Sequence, residues 1–154
     1  MESRPSRKNV AMKKNIWAVL LSFLCLAAPF NLSAANSYWD SNGTTAGAGT
    51  TPTGTWGTST FWSTSSAGTA ATTAWATTNT AVFAAGTDAT GPYTVTLSGT
   101  QTAVGINVQE GNVTFGGSGA VNLGSSGQIT IGSGATLSTD SSLRLSATAG
   151  TAKI

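Results

Sequence analysis

The sequence predicts an all-β protein: a short-strand, right-handed β-solenoid that follows a cleaved signal peptide. Three observations point there. Aliphatic residues alternate with small polar ones over residues 81–145, as in strands that bury one face. Val113, Val121, Ile129, Leu137 and Leu145 recur at a constant eight-residue step, which Phe115, Leu123 and Ile131 share. Between the strands lie Gly116-Gly117-Ser118-Gly119, Gly124-Ser125-Ser126-Gly127 and Gly132-Ser133-Gly134. Glycine supplies the positive φ angles that tight corners need. Short strands spaced by turns also suit an antiparallel β-sandwich or meander. The constant step and the lack of long crossovers favour the solenoid, whose strands stack coil on coil around an aliphatic ladder.

The chain begins with a leader. Arg4, Arg7, Lys8, Lys13 and Lys14 precede the apolar run Ile16–Ala28, and Ser33-Ala34-Ala35 ends the segment. Those 13 residues fit the apolar core of a secretory signal and fall short of the roughly 20 that span a bilayer. Ser33 and Ala35 suit the −3 and −1 positions, which places cleavage after Ala35 and leaves no membrane span in the mature chain. Met12 is an alternative start, because Met12-Lys13-Lys14 supplies a basic region by itself. Cys25, the single cysteine, lies inside the leader, and the bulky Leu24 before it argues against lipidation. The mature chain therefore has no disulfide and no thiolate.

Removing the leader reverses the charge. Residues 36–154 keep Arg144 and Lys153 against Asp40, Asp88, Glu110 and Asp140, so 2 − 4 = −2, although the whole chain carries +2. No basic patch remains for phosphates, which excludes nucleic acid as a partner.

Residues 36–80 form a Trp-containing, Ala/Gly/Ser/Thr-rich N-terminal cap region. In 44–80, 31 of 37 residues are Ala, Gly, Ser or Thr, yet Trp39, Trp56, Phe61, Trp62 and Trp75 are set into this zone. Such large rings are costly to leave in a linker, so they are read as covering the end of a β structure. A second reading makes Trp39, Trp56, Trp62 and Trp75 a platform that stacks on sugar rings. Residues 81–154 form the β-repeat segment. There Tyr93, Val95 and Leu97 alternate with Thr94 and Thr96, and Val104, Ile106 and Val108 alternate with Gly105 and Asn107. The segment is expected to be the leading part of a longer passenger.

With these motifs in view, the chain resembles bacterial autotransporter-associated β-strand repeat proteins in their N-terminal passenger region. The likeness rests on the leader, Tyr38-Trp39-Asp40, Gly54-Thr55-Trp56, Phe61-Trp62, Ala81-Val82-Phe83, Tyr93-Thr94-Val95-Thr96-Leu97 and Val104-Gly105-Ile106. It implies a β-helical passenger at the cell surface or secreted, with glycans or neighbouring surface proteins as partners. The family's G-x-G-T-L-x-L-type repeat and a translocator barrel are not present in the sequence.

Chemistry is sparse. There is no histidine, so Ser–His–Asp and Cys–His constellations are impossible. Asp40, Asp88, Glu110 and Asp140 lie far apart, and Asp88 and Asp140 stand in turn-like contexts. No Lys follows the Gly-rich stretches as a P-loop requires, and Ser stands where calcium-binding corners carry Asp. Asn42-Gly43-Thr44 and Asn112-Val113-Thr114 are chance sequons in a Thr-rich chain. The reading is an exported, non-enzymatic structural segment with no cofactor, metal or catalytic residue. The alternative is a carbohydrate-binding or adhesion module that uses its tryptophans.

Overall fold

The computed structural model describes residues 33–125, 127–140 and 144–147. Residues 1–32, which include the basic region and apolar run of the leader, therefore lie outside the described residues, as do Ser126, Leu143 and Lys153. All the elements below belong to the unit Ala34–Ile154.

Twelve strands and no helix are found among the described residues. The strands are β1 (Asn36–Trp39), β2 (Gly54–Trp56), β3 (Trp62–Ser63), β4 (Thr80–Phe83), β5 (Pro92–Leu97) and β6 (Thr100–Ala103). They continue as β7 (Gly105–Val108), β8 (Asn112–Gly116), β9 (Ala120–Leu123), β10 (Ile129–Ile131), β11 (Thr136–Thr139) and β12 (Arg144–Ala147). They form three sheets, ordered β10-β7-β4-β1-β3, β11-β8-β5-β2 and β12-β9-β6.

No strand pairs with the next one in sequence. From β4 onward each strand pairs with the strand three places later, and always in parallel. An antiparallel sandwich or meander would need hairpins between neighbours, so that alternative does not form. Only β3 runs antiparallel among the named strands, along β1.

The register explains the repeat in the sequence. Val113 pairs with Leu137 and Val121 with Leu145. Each pair is three eight-residue steps apart, so one step carries the chain to the next sheet and three return it to the same one. Parallel partners need a connection of about a dozen residues or more. Here strands of the other two sheets supply it.

Alternation decides which side chains meet. In β5 Tyr93, Val95 and Leu97 are buried while Thr94 and Thr96 face out. In the same way Ala81 and Phe83, Ile106 and Val108, Val113 and Phe115, and Val121 and Leu123 are buried. All three sheets contribute to one apolar cluster. Burying each large aliphatic or aromatic side chain contributes about 1.5–3 kcal/mol. The ladder thins toward β10–β12: Ile129 is 9 % exposed and Leu137 is partly buried, but Ile131 and Leu145 are 44 % and 45 % exposed. Among the described residues nothing pairs with the outer edges of those three strands.

Val104 departs from its expected inward place. It precedes β7 at the corner after Ala103 and is 42 % exposed, its N–H donating to the Asn79 carbonyl. Gly119, in the corner between β8 and β9, packs closely against the corner between β5 and β6. A Cβ at Gly119 would come within 2.5 Å of the Gly99 carbonyl oxygen and 2.7 Å of Leu97 Cβ. A side chain there would separate the two corners.

Candidate functional site

The tryptophans come from four separate segments. Trp39 ends β1, Trp56 ends β2, Trp62 begins β3 and Trp75 lies between β3 and β4. Trp39 and Trp62 meet edge to face with ring centroids 5.1 Å apart, and Trp56 meets Trp62 at 5.2 Å and Trp75 at 5.0 Å. Phe83 and Phe115 join from β4 and β8, 5.7 and 6.1 Å from Trp56. Such offset and edge contacts are the favoured aromatic geometry.

The sugar-platform expectation requires open ring faces. Trp39 and Trp56 are fully buried and Trp62 is 1 % exposed, so none offers a face to a sugar ring. Trp75 is partly buried, lies 4.4 Å from Trp62, and donates its indole N–H to the Thr102 carbonyl at 2.9 Å. Trp39 donates its own to the Pro52 carbonyl. The physical reason is register: Trp39 and Trp56 occupy inward strand positions at the start of the stacked sheets, where an aromatic fills the space an aliphatic ladder fills further on.

The carboxylates hold backbone. Asp40 follows β1 and is fully buried, with Oδ1 accepting from Asn42 N at 3.0 Å. Asp88 follows β4, and its two oxygens accept from Ala48 N at 2.8 Å and Gly49 N at 3.1 Å, in the loop after β1. Asp140 follows β11, and its Oδ2 accepts from Gly117 N at 2.9 Å, in the corner after β8. Asp88 and Asp140 stand in turn-like contexts, and each bridges to a loop that follows a different strand. Sequence patterning offered no signal for this, because an Asp in a turn looks the same whichever backbone it binds.

Asp40, Asp88 and Glu110 follow β1, β4 and β7, successive neighbours in one sheet. Burial raises the Asp40 carboxyl above its ordinary range, and the Asp88 charge adds to this, while the N–H groups of Asn42 and Gly43 oppose it. Burial likewise raises Glu110, with the Asp88 charge adding and the Ala89 N–H opposing. Burial raises the Tyr93 hydroxyl, helped by the Glu110 charge. Asp40 Oδ2, Glu110 Oε1 and Tyr93 Oη are buried with no hydrogen-bond partner. A carboxyl raised in the folded state binds its proton more tightly there than in the unfolded chain. Its contribution is complete below the ordinary carboxylate range, about pH 4, and is lost as pH rises through the raised value. The urea midpoint is therefore expected to fall as pH increases from about 4 toward neutrality. Asp40→Asn should flatten that fall and keep the bond from Asn42 N. A fall equally steep in the variant would contradict the assignment.

The described residues contain no group of three or more His, Cys, Asp or Glu side chains placed to hold a metal. They contain no helix long and apolar enough to cross a membrane. Ala35 is exposed just before β1, and its carbonyl accepts from Thr80 N at 2.9 Å. No known family model, curated protein or solved structure matches this chain.

Proposed function

We propose that the chain is an exported, non-enzymatic structural segment, a right-handed parallel β-helix that extends from and presents material at the bacterial cell surface or in the medium. The observation that carries this reading is the pairing of each strand from β4 onward with the one three places later, in one parallel register. That arrangement grows along one axis by repetition, as a stalk requires. Right-handedness is the strong preference of parallel crossovers. The carboxylates support a structural role, since Asp88 and Asp140 bind backbone of other loops. The lack of histidine leaves the commonest general base out.

Export rests on the leader and on where the folded unit starts: Ala34 opens that unit and Asn36 opens β1, next to the expected cleavage point after Ala35. The likeness to autotransporter-associated β-strand repeat passengers supports the same placement. The test is expression of the full chain in a bacterial host, with mass measurement of the exported product. The expected N-terminus is Asn36, and fusion of residues 1–35 to a reporter active only after export should give signal. A cytoplasmic product that retains Met1 or Met12 would reject export. Burial of Trp39, Trp56 and Trp62 gives the carbohydrate-binding alternative no support.

A further inference from the structure

The outward side of the sheet β11-β8-β5-β2 carries hydroxyls in rows. Side chains of a strand point alternately to its two faces, so the threonines between the buried residues share one side. Thr55 pairs with Thr96, Thr94 with Thr114, and Thr114 with Ser138. Thr53, just before β2, reaches the same face, since Thr94 N donates to its Oγ1 at 3.3 Å. One row thus runs Thr53, Thr94, Thr114 and Ser138 across the sheet, and a second begins with Thr55 and Thr96. Val95, Val113 and Phe115 behind them are fully buried, whereas Thr53, Thr94, Thr96 and Ser138 are exposed and Thr55 and Thr114 partly so. A strand added beside β11 would lengthen the rows and would not cover them.

The face differs from an ordinary solvated one. The chain is 8 % charged, against about 25 % in soluble domains, and the outward positions of these four strands bear neither a charge nor an aromatic ring. Asp140, which follows β11, bonds to Gly117 N at the corner. Among the described residues the hydroxyls of Thr55, Thr94, Thr96 and Thr114 bond to no protein group and are free for water. Threonine is β-branched and stiff at χ1, so each methyl and hydroxyl is held in a set place.

We propose that this face binds ice. Its hydroxyls repeat at about 4.8 Å from strand to strand and about 6.6 Å along each strand. Those two perpendicular steps come close to the oxygen repeats of hexagonal ice along its a and c axes. Waters held by the hydroxyls and packed around the methyls then stand near lattice positions before ice arrives. A rigid array loses little freedom on binding, which lets many weak contacts add. The neutrality of the face matches a neutral lattice and gives a phosphate or a charged partner nothing to pair with. Stacking on a polysaccharide would need aromatic faces, and none projects here. The inference uses only the strand register, so it stands apart from export.

The species to test is residues 36–154, because every strand pairing lies inside the unit Ala34–Ile154. Ice grown slowly from its solution should take the protein up, and the coarsening of fine-grained ice should slow. The double variant Thr94→Lys with Thr114→Lys should lose both effects, since ammonium groups are strongly hydrated and hold water out of the lattice. Its circular dichroism spectrum should not change, because both side chains point outward. Thr100→Lys with Thr130→Lys adds the same charge at exposed positions of the other two sheets and should keep both effects. Exclusion of the unaltered protein from growing ice overturns the proposal. So does uptake that survives the Thr94 and Thr114 changes, or that is lost equally in the control pair. Binding to crystalline cellulose without uptake into ice overturns it as well and assigns the face to a polysaccharide.

Discussion

Replacing Trp56 by Ala is expected to lower the stability of residues 36–154 by about 3–5 kcal/mol, the range for removing a large aromatic from a packed core. Domains are stable by only about 5–15 kcal/mol, so much of the population would be unfolded at moderate urea. Trp56 is fully buried and touches Trp62, Trp75, Phe83 and Phe115, which come from four other segments. Truncation leaves a cavity that none of these rings fills without breaking its own contacts. Trp56→Phe should recover much of the loss, because the Trp56 indole N–H is buried without a hydrogen-bond partner and the phenyl ring brings no such group. Trp75→Ala should cost less than Trp56→Ala, since Trp75 is only partly buried. Urea unfolding followed by circular dichroism gives the order. Losses near zero at both Trp56 and Trp75 would mean that the rings do not close the core.

The strand-forming part of the chain is legible where side chains alternate strongly. Tyr93, Val95 and Leu97, then Val113 and Phe115, then Val121 and Leu123, announce β5, β8 and β9, and all seven are buried. The eight-residue step even carries the topology, because three steps equal the spacing of Val113 to Leu137. Other parts leave no such trace. The strand β6, Thr100-Gln101-Thr102-Ala103, has no aliphatic pair, and its inward Gln101 lies under Val121. Burial there comes from position in the stack, which composition does not encode. The strands β1 and β2 hide in a stretch dominated by Ala, Gly, Ser and Thr, and only Trp39 and Trp56 mark them. Those aromatics signal a packed end but not the direction their rings face, so an exposed platform and a buried plug read alike. The carboxylate bridges were out of reach because their partners are backbone N–H groups 39 and 40 residues away for Asp88, and such groups have no sequence signature.

The Asp88 bridge sets the second large effect. Gly47 has φ of 87°, and a Cβ there would overlap both oxygens of the Asp88 carboxylate. Gly47→Ala should therefore cost twice over. An L-residue in the left-handed region costs about 1–2 kcal/mol, and displacing the carboxylate loses bonds to Ala48 N and Gly49 N, which as charge-assisted bonds contribute about 1.5–3 kcal/mol each at most. Ala48 is fully buried, so its N–H is left without water when the carboxylate moves. Asp88→Ala loses the same bonds by a different route. Once they are gone, Gly47→Ala has only its backbone strain left to add. The double variant should thus be less destabilised than the two singles combined, by about 1 kcal/mol or more, the coupling typical of residues in contact. Gly43→Ala provides the contrast within the same loop. Its φ is 77°, but an added Cβ meets nothing within 4 Å, so its cost should be strain alone and should be unchanged in the Asp88→Ala background. Additivity at Gly47, measured by urea midpoints, would show that the loop keeps its shape without the carboxylate. Coupling at Gly47 together with additivity at Gly43 would place the restraint at the Asp88 bridge, where the segment after β4 grips the loop after β1.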